Sequence, residues 1–236
     1  MPQNPTSDQL RAAYDDCFRN DLLRDSGSSY LWALNKLDLA PGKVLLDVAC
    51  GSGSLLQHGL NAGLRTIGLD FSDEALVRSR QNVPGVPLVL ADGHNLPVPS
   101  ASVDLLANLG SLEHFLTPEQ GVREMARVLK PGGQAAILLP NAYYAADLVW
   151  WVWRKGRASS HKQLLERFAA FNDWLDLLQE NGLKLQRAYK YNLIFPKNKA
   201  DWAWYKANPR KLIYWAASQL IPFNFSYSFL YLCGKA

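Results

Sequence analysis

The sequence predicts an α/β fold, an open and mostly parallel sheet with helices on both faces. Three observations predict it. The stretch 44–56 (VLLDVACGSGSLL) runs from a short apolar segment through a glycine turn into helical spacing. Two later strand-like segments each end in an acid, Asp70 and Asp92. The chain, 236 residues with 48% hydrophobic content, is long enough to bury a full core in one domain, 1–236.

Taken in order, Leu10, Ala13, Tyr14, Cys17, Phe18 and Leu22 recur at helical spacing and predict a helix from Asp8 to Leu23. A short second helix is expected from about Tyr30 to Leu37. Val44, Leu45, Leu46 and Val48 form a run that suits a strand covered on both faces. Gly51 and Gly53 then let the chain turn sharply and let a ligand approach the backbone. Ser54, Leu55, Leu56 and Leu60 continue as a helix that stops at Gly63. Arg65 to Asp70 reads as the second strand, with Ser72 capping a helix that begins at Asp73 and Glu74. Pro87 to Ala91 is the third strand, and a fourth ends near Asn108. Thr117 is placed to cap a helix from Pro118 to Leu129, and KPGG turns into the fifth strand, Gln134 to Leu139. Leu164 to Asn181 reads as a helix stopped by Gly182, Leu183 to Tyr191 as the sixth strand and Ser226 to Cys233 as the last.

These elements imply a binding site. A strand, a tight turn and a helix N-terminus in that order point backbone N–H groups at a nucleotide-type ligand. Asp70, at a strand's carboxyl end, can accept both hydroxyls of a ribose. Asp92 can accept from an adenine amino group while the next N–H, at Gly93, reaches a ring nitrogen. Each acid alone is also an ordinary turn former. The third glycine of the dinucleotide fingerprint is replaced by Leu56, which argues against an NAD enzyme on the same sheet, because a pyrophosphate must sit tight on the helix.

The pieces DVACGSG (47–53), GLDFSDEAL (68–76), LADGHNLP (90–97), SVDLLANLGSLEHF (102–115) and EMARVLKPGG (124–133) together resemble the class I S-adenosylmethionine-dependent methyltransferases. The likeness is to their small-molecule branch, which includes the ubiquinone and menaquinone enzymes, and it covers roughly residues 40 to 140. It implies a Rossmann-like, seven-stranded, mostly parallel sheet with an antiparallel last strand between the fifth and sixth. It also implies S-adenosyl-L-methionine as cofactor. By that resemblance the turn with Ala49, Gly51 and Gly53 lies against the methionine part, and Asp47 orients the ammonium end. Asp70 would hold the ribose, Phe71 pack on the adenine, and Asp92 with Gly93 read its edge. Asn108 and Leu109 would offer backbone contacts to the methionine end. Tyr14 would close the pocket from the N-terminal helices; packing on the helix's own apolar face is the competing role. The domain then divides into N-terminal helices (1–40), a cofactor-binding core (41–140) and two insertions, 141–161 and 192–224, that form an acceptor cap with extra helical segments.

Composition narrows the class further. No segment approaches the roughly 20 apolar residues that span a bilayer, and MPQNPTSDQL lacks the parts of a signal peptide, so a cytoplasmic location is expected. Cys17, Cys50 and Cys233 are odd in number and far apart, which argues for reduced thiols and against a zinc site; no metal is expected. Charge is uneven. Residues 1–150 hold 11 basic and 16 acidic side chains, residues 151–236 hold 14 and 5, and seven of the eight tryptophans lie at or beyond Trp150. Three readings of this aromatic and basic part stand: a packed cap, the wall of a pocket for a large apolar acceptor, or a surface that touches membrane. Interleaved rings and cations also suit single-stranded nucleic acid, but the loop after the fourth strand reads NLGSLEH and lacks the Asn-Pro-Pro-Tyr type sequence of nucleic-acid amino-methyltransferases.

Methyl transfer asks mainly for alignment and exclusion of water. If a proton must also leave the acceptor, His114 is the best-placed general base, with Glu113 as substitute; a structural histidine opening the next helix is the competing role. His58, His94 and His161 read as solvent-facing or local. The expected function is methyl transfer from S-adenosylmethionine to a hydrophobic small-molecule or lipid-like acceptor. RNA or protein acceptors, or a binding protein without turnover, are the alternatives.

Overall fold

In the computed structural model, the residues described are 5–20, 22, 27–157, 163–192, 196, 199–209, 215–216, 218 and 220–236. Strand β1 (Val44–Val48) forms where the apolar run is densest, and its neighbours follow from the same kind of sequence: β2 (Arg65–Asp70), β3 (Leu88–Leu90), β4 (Val103–Leu109), β5 (Leu129–Pro140), β6 (Leu183–Tyr191) and β7 (Ser228–Lys235). They pair in the order β3-β2-β1-β4-β5-β7-β6, with β7 antiparallel to both β5 and β6 and the other pairs parallel. The seven-stranded sheet with its antiparallel last strand is the arrangement the sequence led us to expect.

Adjacent residues face opposite sides of the sheet, so Leu45 and Leu105 join one core cluster while Leu46 and Leu106 join the other. On the first face lie α2 (Gly27–Leu34) and α3 (Ser54–Asn61), through Leu34 and Leu55. On the second lie α5 (Pro118–Val128) and α7 (Phe171–Glu180), through Val122, Met125, Trp174 and Leu178. Tyr231 on β7 is fully buried, stacks on Phe171 at 5.0 Å and donates its hydroxyl to the Phe171 carbonyl. The remaining helices are α1 (Ser7–Arg19), α4 (Asp73–Asn82), α6 (Ala145–Asp147), continued by the π-helical turn Leu148–Trp153, and α8 (Lys199–Ala207).

Strand order matters for the site. From β1 the sheet grows through β2 and β3 to one side and through β4 and β5 to the other, so the loops leaving β1 and β4 diverge. A crevice opens between them at the carboxyl edge.

Several boundaries differ from the sequence reading. Helix α1 stops at Arg19, capped by Asn20; the expected end at Leu23 lies outside the described residues. Helix α2 covers Gly27–Leu34 instead of 30–37. The KPGG turn is absorbed into β5 as a bulge: Val103 pairs with Leu129 but Leu105 with Gln134, and Gly132 takes φ +77°. Helix α7 begins at Phe171, not Leu164. Residues before it are held extended, because Arg167 donates to the carbonyls of Glu113, Phe115 and Leu116, and Ala169 bridges to Asn141. Asp173 then accepts from the Ala170 N–H and starts the helix. Ser72 caps α4 as expected, whereas Thr117 precedes α5 without a side-chain hydrogen bond.

Candidate functional site

The crevice holds a cavity of about 610 Å³. That is within the range of small-molecule and cofactor sites. Its first wall is the loop after β1. Ala49 and Gly51 adopt φ of +64° and +53°, which turns the backbone back under β2. The Gly51 N–H donates to Asp70 Oδ2 at 2.9 Å, and the Ser72 N–H donates to Asp70 Oδ1 at 2.9 Å. Asp70 is thereby fixed at the end of β2. Burial raises its pKa to about 6, and backbone hydrogen bonds from Ser72, Gly51 and Phe71 oppose that rise.

Asp47 lies beside it at the end of β1, buried, and among the described residues no ion pair reaches it. Burial, then the nearby Asp70 carboxylate, push its pKa up to about 8. Two buried carboxyl groups side by side favour a ligand that brings positive charge and disfavour one that brings phosphate. Leu56, where a dinucleotide site needs glycine, is fully buried with Cys50, Leu76 and Val83 and takes no part in the crevice wall.

Phe71 lines the cavity, with the Tyr14 ring edge-on to it at 5.5 Å. The opposite end is formed by Asp92, Gly93 and His94. A Cβ on Gly93 would stand 2.4 Å from the Phe115 ring, so only glycine fits between the loop and that ring. His94 is a correction to the sequence reading. It is neither solvent-facing nor merely local: Nε2 accepts from the Thr117 N–H at 3.1 Å, so Nδ1 carries the proton and donates to Asp92 Oδ1. That hydrogen bond is the first cause that holds the Asp92 carboxyl below its usual range. Both His94 contacts fall on Oδ1, which leaves Oδ2 for a ligand.

Beyond β4, Leu109, Gly110 and Ser111 carry the wall to the turn Leu112–His114. His114 lines the cavity; Nδ1 contacts the Leu165 carbonyl at 2.5 Å, and the ring meets Tyr14 edge-on at 5.9 Å. Donation from Nδ1 leaves Nε2 as the basic nitrogen, 3.7 Å from Glu113 Oε1. Glu113 is buried, its Oε2 has no hydrogen-bond partner, and burial raises its pKa to about 8. Burial and the Glu113 carboxyl hold the Tyr14 phenol protonated, above its usual range. Its hydroxyl donates to Gln163 at 3.1 Å.

Of the residues singled out from sequence, Tyr14, Ala49, Gly51, Asp70, Phe71, Asp92, Gly93, Leu109 and His114 line one cavity. Asp47, Gly53 and Asn108 stand behind its wall. Gly53 faces α4, where a Cβ would meet Ser79 Oγ at 2.5 Å. The Asn108 side chain braces β1 against the β4 loop by donating to the Val48 carbonyl and accepting from the Leu112 N–H. Sequence reasoning missed Phe18, Tyr30 and Gln163. Phe18 was within reach, since it lies one helical turn from Tyr14 on the same face of α1. His58 too is not merely local: its Nε2 donates to the Gly27 carbonyl at 2.8 Å and ties α3 to α2, while His161 lies outside the described residues.

Comparison with known proteins agrees with this geometry. Residues 46–137 match the family described as "Methyltransferase domain". A demethylmenaquinone methyltransferase of Corynebacterium urealyticum is 37% identical over 114 residues, which is 47% of this chain and 49% of that protein. A probable tRNA methyltransferase 9B of Mus musculus is 35% identical over 103 residues, 42% of this chain and 22% of that protein. Among solved structures, an SAM-dependent methyltransferase from Thermotoga maritima superposes with a TM-score of 0.67 at 15% identity, covering 95% of this chain and 99% of that one; this likeness is one of fold. The match covers half or less of the length of these two curated relatives.

Proposed function

We propose that the protein, whose residues 46–137 match a methyltransferase domain family, is a class I methyltransferase dependent on S-adenosyl-L-methionine and that it methylates a hydrophobic small-molecule or lipid-like acceptor. The observation that carries the cofactor part is the pair of buried carboxyl groups, Asp47 and Asp70, where the loops after β1 and β4 diverge. A phosphate-bearing dinucleotide would be repelled there, whereas an ammonium and a ribose are met by acceptors. Asp47 acts on the ammonium through the turn, Asp70 takes the ribose hydroxyls, Phe71 packs on the adenine, and Asp92 with Gly93 reads its edge. Ala49, Gly51 and Gly53 shape the turn along the methionine part, Asn108 holds the β4 loop, and Leu109 offers its backbone. Tyr14 closes the cavity from above.

The cofactor supplies a methyl group already activated on a sulfonium. The protein's work is therefore to align the acceptor, keep water out and, where the acceptor is acidic, take its proton on His114 Nε2. Glu113 lies beside that nitrogen as a neutral acid and adds no competing negative charge while it stays protonated.

The acceptor assignment draws on the exposed rings and aliphatic side chains past β5, at the carboxyl edge, with peripheral membrane contact as its setting. The relative named for demethylmenaquinone methylation supports it. A second reading, an RNA acceptor, is favoured by the relative named for tRNA and by the basic second part of the chain. Incubating the protein with methyl-labelled S-adenosylmethionine and fractionated cell extract separates the two. Label in the lipid fraction is expected, and label confined to RNA overturns the reading. With an acceptor in hand, His114→Ala is expected to slow transfer about 10²- to 10⁴-fold at unchanged cofactor affinity. No loss of rate removes His114 from the chemistry.

A further inference from the structure

The helical segment from Ala145 to Lys155 carries a surface that the cofactor site does not use. Val149, Trp150, Val152 and Trp153 are all exposed, Trp153 to 81%. All four lie within the π-helical turn Leu148–Trp153 and are open to solvent. A run of four large apolar side chains in water on one helical turn is costly unless something covers it. Directly after it come Arg154, Lys155 and Arg157, all exposed, and the only acid from 141 to 157 is Asp147. The cations fold back over the rings: the Arg154 guanidinium lies 5.1 Å from the Trp150 ring, and the Lys155 ammonium 4.4 Å from the Trp151 ring.

We infer that this segment docks on an anionic lipid bilayer, with Val149, Trp150, Val152 and Trp153 at the headgroup boundary and Arg154, Lys155 and Arg157 on the lipid phosphates. Charge complementarity decides the sign of the surface. The side chains decide that it is lipid. Two of the four exposed apolar residues are valines, which have no ring face to offer a base and gain only from leaving water. Arg154 and Lys155 already lie over the Trp150 ring, an arrangement that suits a ring lying at headgroup depth. The apolar patch also continues away from the helix. Tyr144 packs on Tyr227 at 5.1 Å, and Tyr143, Phe225 and Tyr227 are exposed beside it. No helix among the described residues is long and apolar enough to cross a membrane, so the contact is peripheral.

The inference rests on the proposed lipid-like acceptor. Past the docking helix in sequence, segment 163–167 reaches the cofactor cavity, where Leu165 binds His114 and Gln163 binds Tyr14.

Cosedimentation of the full chain with vesicles of phosphatidylcholine, with and without phosphatidylglycerol, tests it without any methyl transfer. Binding to the anionic vesicles is expected. Replacing the cations together (R154Q, K155Q, R157Q) should weaken it about a hundredfold, or about fivefold for each charge. W150A with W153A should weaken it about tenfold or more, while W202A, outside the segment, should bind like the parent. S-adenosylmethionine affinity measured by calorimetry reports that each variant is folded, and a loss of that affinity in the parent would count against the proposed function instead. If the tryptophan variant does not fold, quenching of the parent's fluorescence by brominated lipid reads the same contact. Absence of vesicle binding, equal binding by all variants, or binding of the parent to a single-stranded RNA in preference to the anionic vesicles would each overturn the inference.

Discussion

The two sides of the carboxyl edge are built in opposite ways. Around β1, β2 and the β4 loop, polar groups are buried and two of them are held by the backbone: Asp70 by the N–H groups of Gly51 and Ser72, Asn108 by Val48 and Leu112. Past β5, by contrast, rings and aliphatic side chains stand in solvent next to cations. A small cofactor with fixed polar groups requires a site organised before it arrives, because every acceptor must already be aimed. A large apolar partner requires area more than aim, and exposed side chains supply that.

If this contrast is right, the largest effect belongs to the first side. Asp70→Ala removes the acceptor for two backbone donors and, on the proposed role, for the ribose, and should weaken S-adenosylmethionine binding by about 3 kcal/mol or more, on the order of a hundredfold. Calorimetry showing unchanged affinity would break the assignment. Next comes Glu113. Its folded pKa is raised from 4.5 to about 8, so the stability it contributes is fully present below pH 4.5 and is lost as pH rises through about 8. Glu113→Gln should flatten the pH dependence of unfolding by about 1 kcal/mol per pH unit between pH 6 and 8, read from denaturant midpoints. A curve parallel to that of the parent would show that the buried acid is ionised.

Asp47 sharpens the comparison from the ligand's side. On the proposed role, an ammonium bound at the turn in front of Asp47 favours its charged form, and the carboxyl, whose pKa is raised to about 8 in the free protein, releases a proton. Affinity should therefore rise with pH by up to about tenfold between pH 6.5 and 7.5, with proton release detectable by calorimetry in buffers of different ionisation enthalpy. Asp47→Asn should abolish that dependence. The smallest effect is expected on the other side. Trp153→Ala, at an exposed position, should change folding stability by less than about 0.5 kcal/mol and leave cofactor affinity unchanged. A loss of several kcal/mol in thermal or denaturant unfolding would mean that the ring packs on the fold.

Most of the cofactor half was readable from the chain because its determinants are local. A strand end, a turn glycine and the acid that closes the next strand lie within a few residues of one another, and the spacing from Asp47 to Asp70 to Asp92 marks three strand ends directly. His94 was misread for the opposite reason. Its i+2 contact with Asp92 is local, but its second bond, from the Thr117 N–H, spans 23 residues. The expected start of α7 failed similarly. Leu164 to Ala170 has helical composition, yet Arg167 reaches back to carbonyls more than fifty residues earlier and holds that stretch extended.

Periodicity and turn residues sufficed to specify an α/β sheet, its strand-end acids and the glycine bend, since each depends on neighbours along the backbone. Folding in three dimensions added the rest. It placed α1 over the crevice so that Tyr14 meets Phe71 and His114, buried Asp47 and Glu113 deeply enough to keep their protons, and left Trp153 in solvent. Desolvation and exposure depend on what packs nearby from distant parts of the chain, and residue order alone carries no measure of that.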